Sequence, residues 1–287
     1  MTTATAGRAT GDAPARIGAI PPTGTRTTTL TAGPRASVAP VCRYVEHVMG
    51  MPISLALRGR HTGDTPAAAA RAATLAVLRD ADRMFSTYRA DSVISRLGRG
   101  EIALADCPPE VAEVLALGEA AERDSGGAFA VRRAGVLDPS GVVKGWAAER
   151  AAARLADLPD TDFCLSAGGD ITCRTLDPSE RPWSIGVEDP HDPGRLVAVV
   201  PVHTGAVATS GTAHRGAHLV DARTGRAPTD VASVTVIGTS LTAVDIDATA
   251  AYALGPDAVG WLRTRPHSAL VVHADGTTTV LDSSTVR

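Results

Sequence analysis

The chain has 287 residues, 44% of them hydrophobic, and a formal net charge of −3 from 28 basic and 31 acidic side chains. That is enough apolar content for a sizeable core. No basic stripe is visible and there are only three each of Phe, Tyr and Trp, which argues against nucleic acid as a partner, because neither phosphate neutralisation nor base stacking is provided for.

Residues 1–40 are almost entirely Thr, Ala, Gly, Pro and Arg, with neither helical nor strand periodicity, and are expected to form a disordered tail ahead of one domain at 41–287. No apolar run is long enough to span a bilayer, and the N-terminus lacks the apolar stretch of a secretory signal. A cytoplasmic location with no membrane partner is therefore expected. The four cysteines, Cys42, Cys107, Cys164 and Cys173, form no CxxC pair, which argues against a zinc site, a redox dithiol or a disulfide framework.

In chain order, Cys42–Val48 and Ile53–Leu57 read as strands around the turn Met49-Gly50-Met51-Pro52. Helices are predicted at Pro66–Met84, with Pro66 in the first turn, and at Pro109–Arg123, closed by Ser125-Gly126-Gly127; Val93–Leu97 starts a shorter one. Residues 128–143 look irregular, with a turn at Asp138-Pro139-Ser140-Gly141, before a third long helix at Lys144–Leu158. Strands follow at Phe163–Ser166, Trp183–Val187, Leu196–Val202, Thr204–Ala208 and Ser233–Gly238. A helix carrying Asp245 and Thr249 comes next, then a hairpin of Ser268–His273 and Thr277–Leu281. Helices early and antiparallel strands late predict an α+β fold.

The polar chemistry is densest at 204–255. Asp245 and Thr249, at i and i+4, put a carboxylate and a hydroxyl on one helical face, a pair of hard oxygens suited to Mg²⁺. Spacing alone leaves a second reading open, in which Asp245 only complements the helix N-terminus. The chain has no GxGxxG after its first strand, no GxxxxGK[ST] and no GxSxG, so Rossmann, P-loop and serine-hydrolase sites are unsupported.

Several short motifs, each weak by itself, occur in a telling order. They are Met49-Gly50, the stretch Ser86–Ser92, Gly126-Gly127-Ala128-Phe129, Val143–Ala147 and Ala167-Gly168-Gly169-Asp170. Ala208-Thr209-Ser210-Gly211, His218-Leu219-Val220-Asp221 with Thr224-Gly225, and Asp245-x-x-x-Thr249 complete the set. Together, over about Val45–Gly255, they resemble the ApbE family of FAD:protein FMN transferases. The resemblance implies a single T-fold-related domain with antiparallel sheets and flanking helices. It also implies FAD as substrate, Mg²⁺ held by Gly141, Asp245 and Thr249, and an acceptor protein presenting a Thr or Ser.

By the same resemblance, flavin-nucleotide contacts fall on Met49, Tyr88, Ala128, Phe129, Asp138, Lys144, Thr209, Ser210, Gly211 and Val220. The general base falls on His218, an imidazole that titrates near neutrality. A structural histidine bonded to the Asp221 turn is the competing reading, and His214 the nearest rival. The chain departs from the family pattern after Phe129, where Ala130-Val131-Arg132-Arg133 replaces a stretch that helps enclose the flavin, and at Ser140–Gly145, which keeps the Lys of GGIAKG but loses a Gly. The activity implied is FMN transfer from FAD with AMP leaving; Mg²⁺-dependent FAD hydrolysis and non-catalytic flavin binding are the alternatives.

Overall fold

Alternating apolar and polar residues build the strands, and a helix with almost no polar face fills the space beside them. The computed structural model describes residues 18–19, 40–211 and 219–283. Its first half contains β1 (Gly18–Ala19), β2 (Cys42–Val48), β3 (Met51–Gly59), α1 (Thr65–Phe85), α2 (Val93–Gly98), α3 (Pro109–Asp124), β4 (Arg132–Arg133), β5 (Val136–Leu137) and α4 (Ser140–Ala156). There follow β6 (Thr161–Ala167), β7 (Asp170–Arg174), β8 (Trp183–Asp189), β9 (Asp192–Val202), β10 (Gly205–Gly211), β11 (Val231–Gly238), α5 (Leu241–Leu254), α6 (Ala258–Leu262), β12 (Ser268–His273) and β13 (Thr278–Leu281).

Eight strands form one sheet in the order β13-β12-β11-β10-β7-β6-β3-β2, every neighbouring pair antiparallel. In β3, Met51, Ile53, Leu55 and Leu57 are buried while the residues between them are not, the period of a strand with one face on the core. The β2–β3 turn is the two-residue Met49-Gly50, both left-handed at φ 57° and 70°, the twist that a tight hairpin needs. Helices α1, α4 and α5 cover one face of the sheet. The β8–β9 hairpin covers the other, packing Trp183, Ile185 and Val200 against Val207, Ile237 and Leu270. The α+β class with antiparallel sheets and flanking helices is thus observed.

The centre of the helical layer is α5, buried at every position except Thr242 and Ala243, as expected of a helix that is apolar nearly all round. It carries two buried carboxylates, Asp245 and Asp247. Two residues apart, they face opposite sides of the helix. Asp247 is gripped by Arg265 through Nε–Oδ2 and Nη2–Oδ1 contacts of 3.0 Å each. Arg265 also reaches Asp124 at 3.0 Å and stacks on Trp261 with its guanidinium 4.9 Å from the ring centroid. This clamp sets the rotation of α5 and so turns Asp245 toward α4.

Some elements differ from the sequence expectation. Helix α4 begins at Ser140 and not Lys144, because Asp138 Oδ1 accepts the Ser140 N–H (3.0 Å) and Pro139 O accepts the N–H groups of Val142 and Val143; the expected Asp-Pro-Ser-Gly turn is its first turn. The stretch 128–143, expected to be irregular, contains the β4–β5 hairpin, with Ala134 and Gly135 left-handed at its tip. Strand β7 was not anticipated, and β10 runs on through Thr209, Ser210 and Gly211. Gly18–Ala19, expected in the tail, pairs with β9, since a free strand edge accepts any backbone. The rest of that tail lies outside the described residues, apart from Pro40. Among the described residues no helix is long and apolar enough to cross a membrane.

Asp247 is buried, whereas Arg265 is partly exposed and keeps Asp124 as a partner. Asp247→Ala is therefore expected to lower the unfolding free energy by about 1–3 kcal/mol, measured by chemical denaturation.

Candidate active site

A cleft of about 660 Å³ opens between the β4–β5 hairpin, the start of α4 and the turn at 219–225, a volume typical of small-molecule sites. Ala128, Phe129, Val131 and Val136 make its apolar wall, and Asp138, Ser140, Gly141 and Thr249 its polar floor. Arg133 and Arg223 stand on facing segments of its lining. Arg223 is held by Asp221 through Nε and Nη2 contacts of 2.8–3.1 Å. The Ala222 N–H donates to Ala128 O at 2.9 Å and stitches two walls together. The N-terminus of α4 meets the cleft at Ser140 and Gly141; the Ser140, Val142 and Val143 N–H groups are already served by Asp138 and Pro139.

Behind the floor lies a ring of polar groups, of which Asp170, Ser210, Asp245 and Thr249 are buried. Asp245 Oδ2 accepts the Gly145 N–H at 2.8 Å, the donor that in a regular helix would serve the Gly141 carbonyl. Asp245 Oδ1 lies 3.3 Å from Lys144 Nζ. Lys144 is also paired with Asp170 Oδ2. Asp170 Oδ1 accepts the Thr209 N–H at 3.1 Å, and Ser210 Oγ meets Thr249 Oγ1 at 3.1 Å. Thr249 sits one turn beyond Asp245 on α5, which closes the ring.

Glycine makes this possible. A Cβ at Gly145 would stand 2.8 Å from both Asp245 Cβ and the Leu241 carbonyl oxygen, and one at Gly141 would stand 2.9 Å from Phe129 Cε2. Burial pushes the Asp245 carboxyl up to about 7, against the opposing pull of Lys144 and the Gly145 N–H. Burial also pulls the Lys144 ammonium down, but Asp245 and Asp170 outweigh it and hold its pKa above the ordinary lysine range.

The fold therefore gathers Gly141, Lys144, Thr209, Ser210, Asp245 and Thr249, and it lines the cleft with Ala128, Phe129, Asp138 and Val220. Gly211 pairs with Ser233 at the end of β10, close against the Ala232 carbonyl. Met49, in the β2–β3 turn, packs on the core, and Tyr88 is 99% exposed; neither lines the cleft. His218 lies outside the described residues, but Leu219 and Val220, which follow it directly, line the cleft. Sequence reasoning alone does not single out Asp170 as a site residue. The acid after Gly168-Gly169 was its only signal, and its tie to Lys144 is tertiary.

A sequence profile described as the ApbE family matches residues 49–136 and 130–272. The chain belongs to the ApbE family. Proteins named FAD:protein FMN transferase from Haemophilus influenzae and Escherichia coli are 27% and 29% identical over 132 and 131 residues. Those alignments cover 42% of this chain but only 38% and 37% of the relatives. The crystal structure of the ApbE protein from Thermotoga maritima matches with a TM-score of 0.75 at 20% identity, over 86% of this chain and 99% of that one. Flavin transferase ApbE from Vibrio cholerae gives 0.71 at 19% identity, over 86% and 99%. At these identities the structural likeness speaks for the ApbE fold.

A methyl at position 145 has nowhere to go without moving α4 from α5. Gly145→Ala is expected to cost about 1–3 kcal/mol, the usual range for overpacking, seen as a lowered denaturation midpoint. A midpoint equal to that of the unsubstituted protein would contradict the close approach.

Proposed function

We propose that this ApbE-family chain transfers FMN from FAD to a Thr or Ser hydroxyl of an acceptor protein, releasing AMP. The observation that carries the reading is the convergence of a carboxylate (Asp245), a hydroxyl (Thr249) and the first turn of α4 (Gly141) beside a nucleotide-sized cleft. The names of the relatives in H. influenzae and E. coli support the same chemistry. Among the described residues no three His, Cys, Asp or Glu side chains gather to hold a metal. The donors here are a carboxylate, a hydroxyl and a backbone carbonyl, and hard oxygens of this kind fit Mg²⁺. The close approach of α4 to α5 at Gly145 brings the Asp245 carboxylate against the start of α4.

Asp245, Thr249 and the Gly141 carbonyl would hold the cation. When bound, it neutralises charge on the pyrophosphate of FAD, the main source of rate in phosphoryl transfer. The Gly141 N–H, at the start of α4 and on the cleft lining, would meet a phosphate oxygen. Phe129, Val131 and Val136 offer apolar surface to the flat parts of the substrate and keep water from them. In the reaction the acceptor oxygen forms a bond to the FMN-side phosphorus while the bond to the AMP oxygen breaks. His218 takes the proton from the acceptor hydroxyl. With water in place of the acceptor hydroxyl, the same site would hydrolyse FAD.

The deciding experiment incubates the protein with FAD, MgCl₂ and a Thr-bearing acceptor, read by mass spectrometry. A gain of one FMN on the acceptor, abolished by EDTA, is expected. Free FMN and AMP without acceptor labelling would favour hydrolysis, and intact bound FAD would refute both. Asp245→Asn is expected to remove metal-dependent turnover while the protein stays folded. His218→Ala is expected to lower kcat about 10²–10⁴-fold with little change in FAD affinity; equal loss of both would make His218 a binding residue.

Metal binding needs the Asp245 carboxylate deprotonated. With its pKa raised to about 7, Mg²⁺ affinity is expected to fall by about tenfold per pH unit below that value, measurable by calorimetry. In the metal-free protein the same raised pKa makes stability decline as pH climbs from the ordinary carboxylate range through about 7, because the folded state holds that proton more tightly than the unfolded chain does.

A further inference from the structure

Two buried carboxylates share one ammonium behind the cleft: Asp170 and Asp245, each 1% exposed, both contact Lys144 Nζ. With both carboxylates ionised, as cation binding requires, the trio carries one negative charge in excess in a place where uncompensated charge is costly. A purely structural lysine needs one carboxylate, and Asp245 already has the Gly145 N–H. The second carboxylate therefore calls for an explanation.

Asp170 is the better fixed of the two partners. It follows Gly168 and Gly169, both left-handed at φ 59° and 102°. Cα pairing between β7 and β10 runs only as far as Ile171 and Val207. Beyond that point the Asp170 side chain takes the Thr209 N–H at 3.1 Å, acting as a ladder acceptor. Its other oxygen makes the closer of the two contacts with Lys144.

We infer that Asp170 is a positioning residue, holding the Lys144 ammonium aside so that the Asp245 carboxylate is free to take a divalent cation. This role rests on the divalent-cation reading of Asp245. With Asp170 present, Lys144 keeps a partner when a cation arrives, and the excess negative charge is what the cation neutralises. Without it, Lys144 has only Asp245, and an incoming cation would leave a largely buried ammonium unpaired beside a like charge.

The test titrates Mn²⁺, a probe with the same preference for oxygen ligands, into the protein without FAD and follows the electron paramagnetic resonance signal of the free ion. Asp170→Asn keeps an acceptor for the Thr209 N–H and removes only the charge. It is expected to weaken Mn²⁺ binding by about tenfold or more when Lys144 is present, and by less than about threefold in a Lys144→Met background, the non-additivity of groups in contact. Equal losses in both backgrounds would overturn the role, because Asp170 would then act on the cation by simple attraction. Unchanged affinity with a lowered melting temperature would also overturn it and leave Asp170 a structural residue.

If Asp170→Asn alone fails to fold by circular dichroism, the double variant with Lys144→Met has the same net charge as the unsubstituted trio. Binding within about threefold of the unsubstituted protein then supports the role, and loss of binding overturns it. Asp245→Asn separates the two levels. If the unsubstituted protein takes no Mn²⁺, the cation reading itself falls. If only Asp245→Asn loses binding while Asp170→Asn retains it, the role of Asp170 alone falls.

Discussion

The approach of α4 to α5 at Gly145 is the constraint on which the rest of the site depends. With no Cβ there, Asp245 presses against the α4 backbone and accepts its N–H at 2.8 Å. Any larger residue would push the helices apart, because the facing atoms are a side-chain stem and a backbone carbonyl and neither can swing away. The same contact brings Gly141 beside Phe129 and Thr249. One missing methyl group thus sets the spacing of the oxygen donors proposed to hold the metal.

Electrostatics then divides the labour on α5. On one side Asp247 is neutralised by a forked guanidinium and locks the helix in place. On the other side Asp245 shares a lysine with Asp170. Two acids of the same type, two residues apart, take different parts because the helix points them in opposite directions. One is satisfied by arginine geometry, and the other shares a single ammonium with a second carboxylate.

Ala130–Arg133 leads into the short β4–β5 hairpin, and Ala130, Val131 and Arg133 line the cleft. Arg133 and Arg223 line the cleft together with Asp138, and Arg223 is paired with Asp221.

The sequence by itself determined the fold class, most of the strands and long helices, and those candidate residues that come as ordered motifs. Alternation in β3 and the Pro-led starts of α1 and α3 are local signals, written within a few residues of where they act. Asp245 and Thr249 were legible for the same reason, being one turn apart on a single helix. The onset of α4 was misplaced because a carboxylate two residues upstream serves its first N–H, so that what reads as a turn is a helix start. Only the tertiary structure decided that Lys144 sits between Asp170 and Asp245, that β10 carries Ser210 to Thr249, and that Tyr88 stays in solvent. Those contacts join separate elements, and their energy comes from burial and charge pairing across the packed sheet and helices, which no local pattern records.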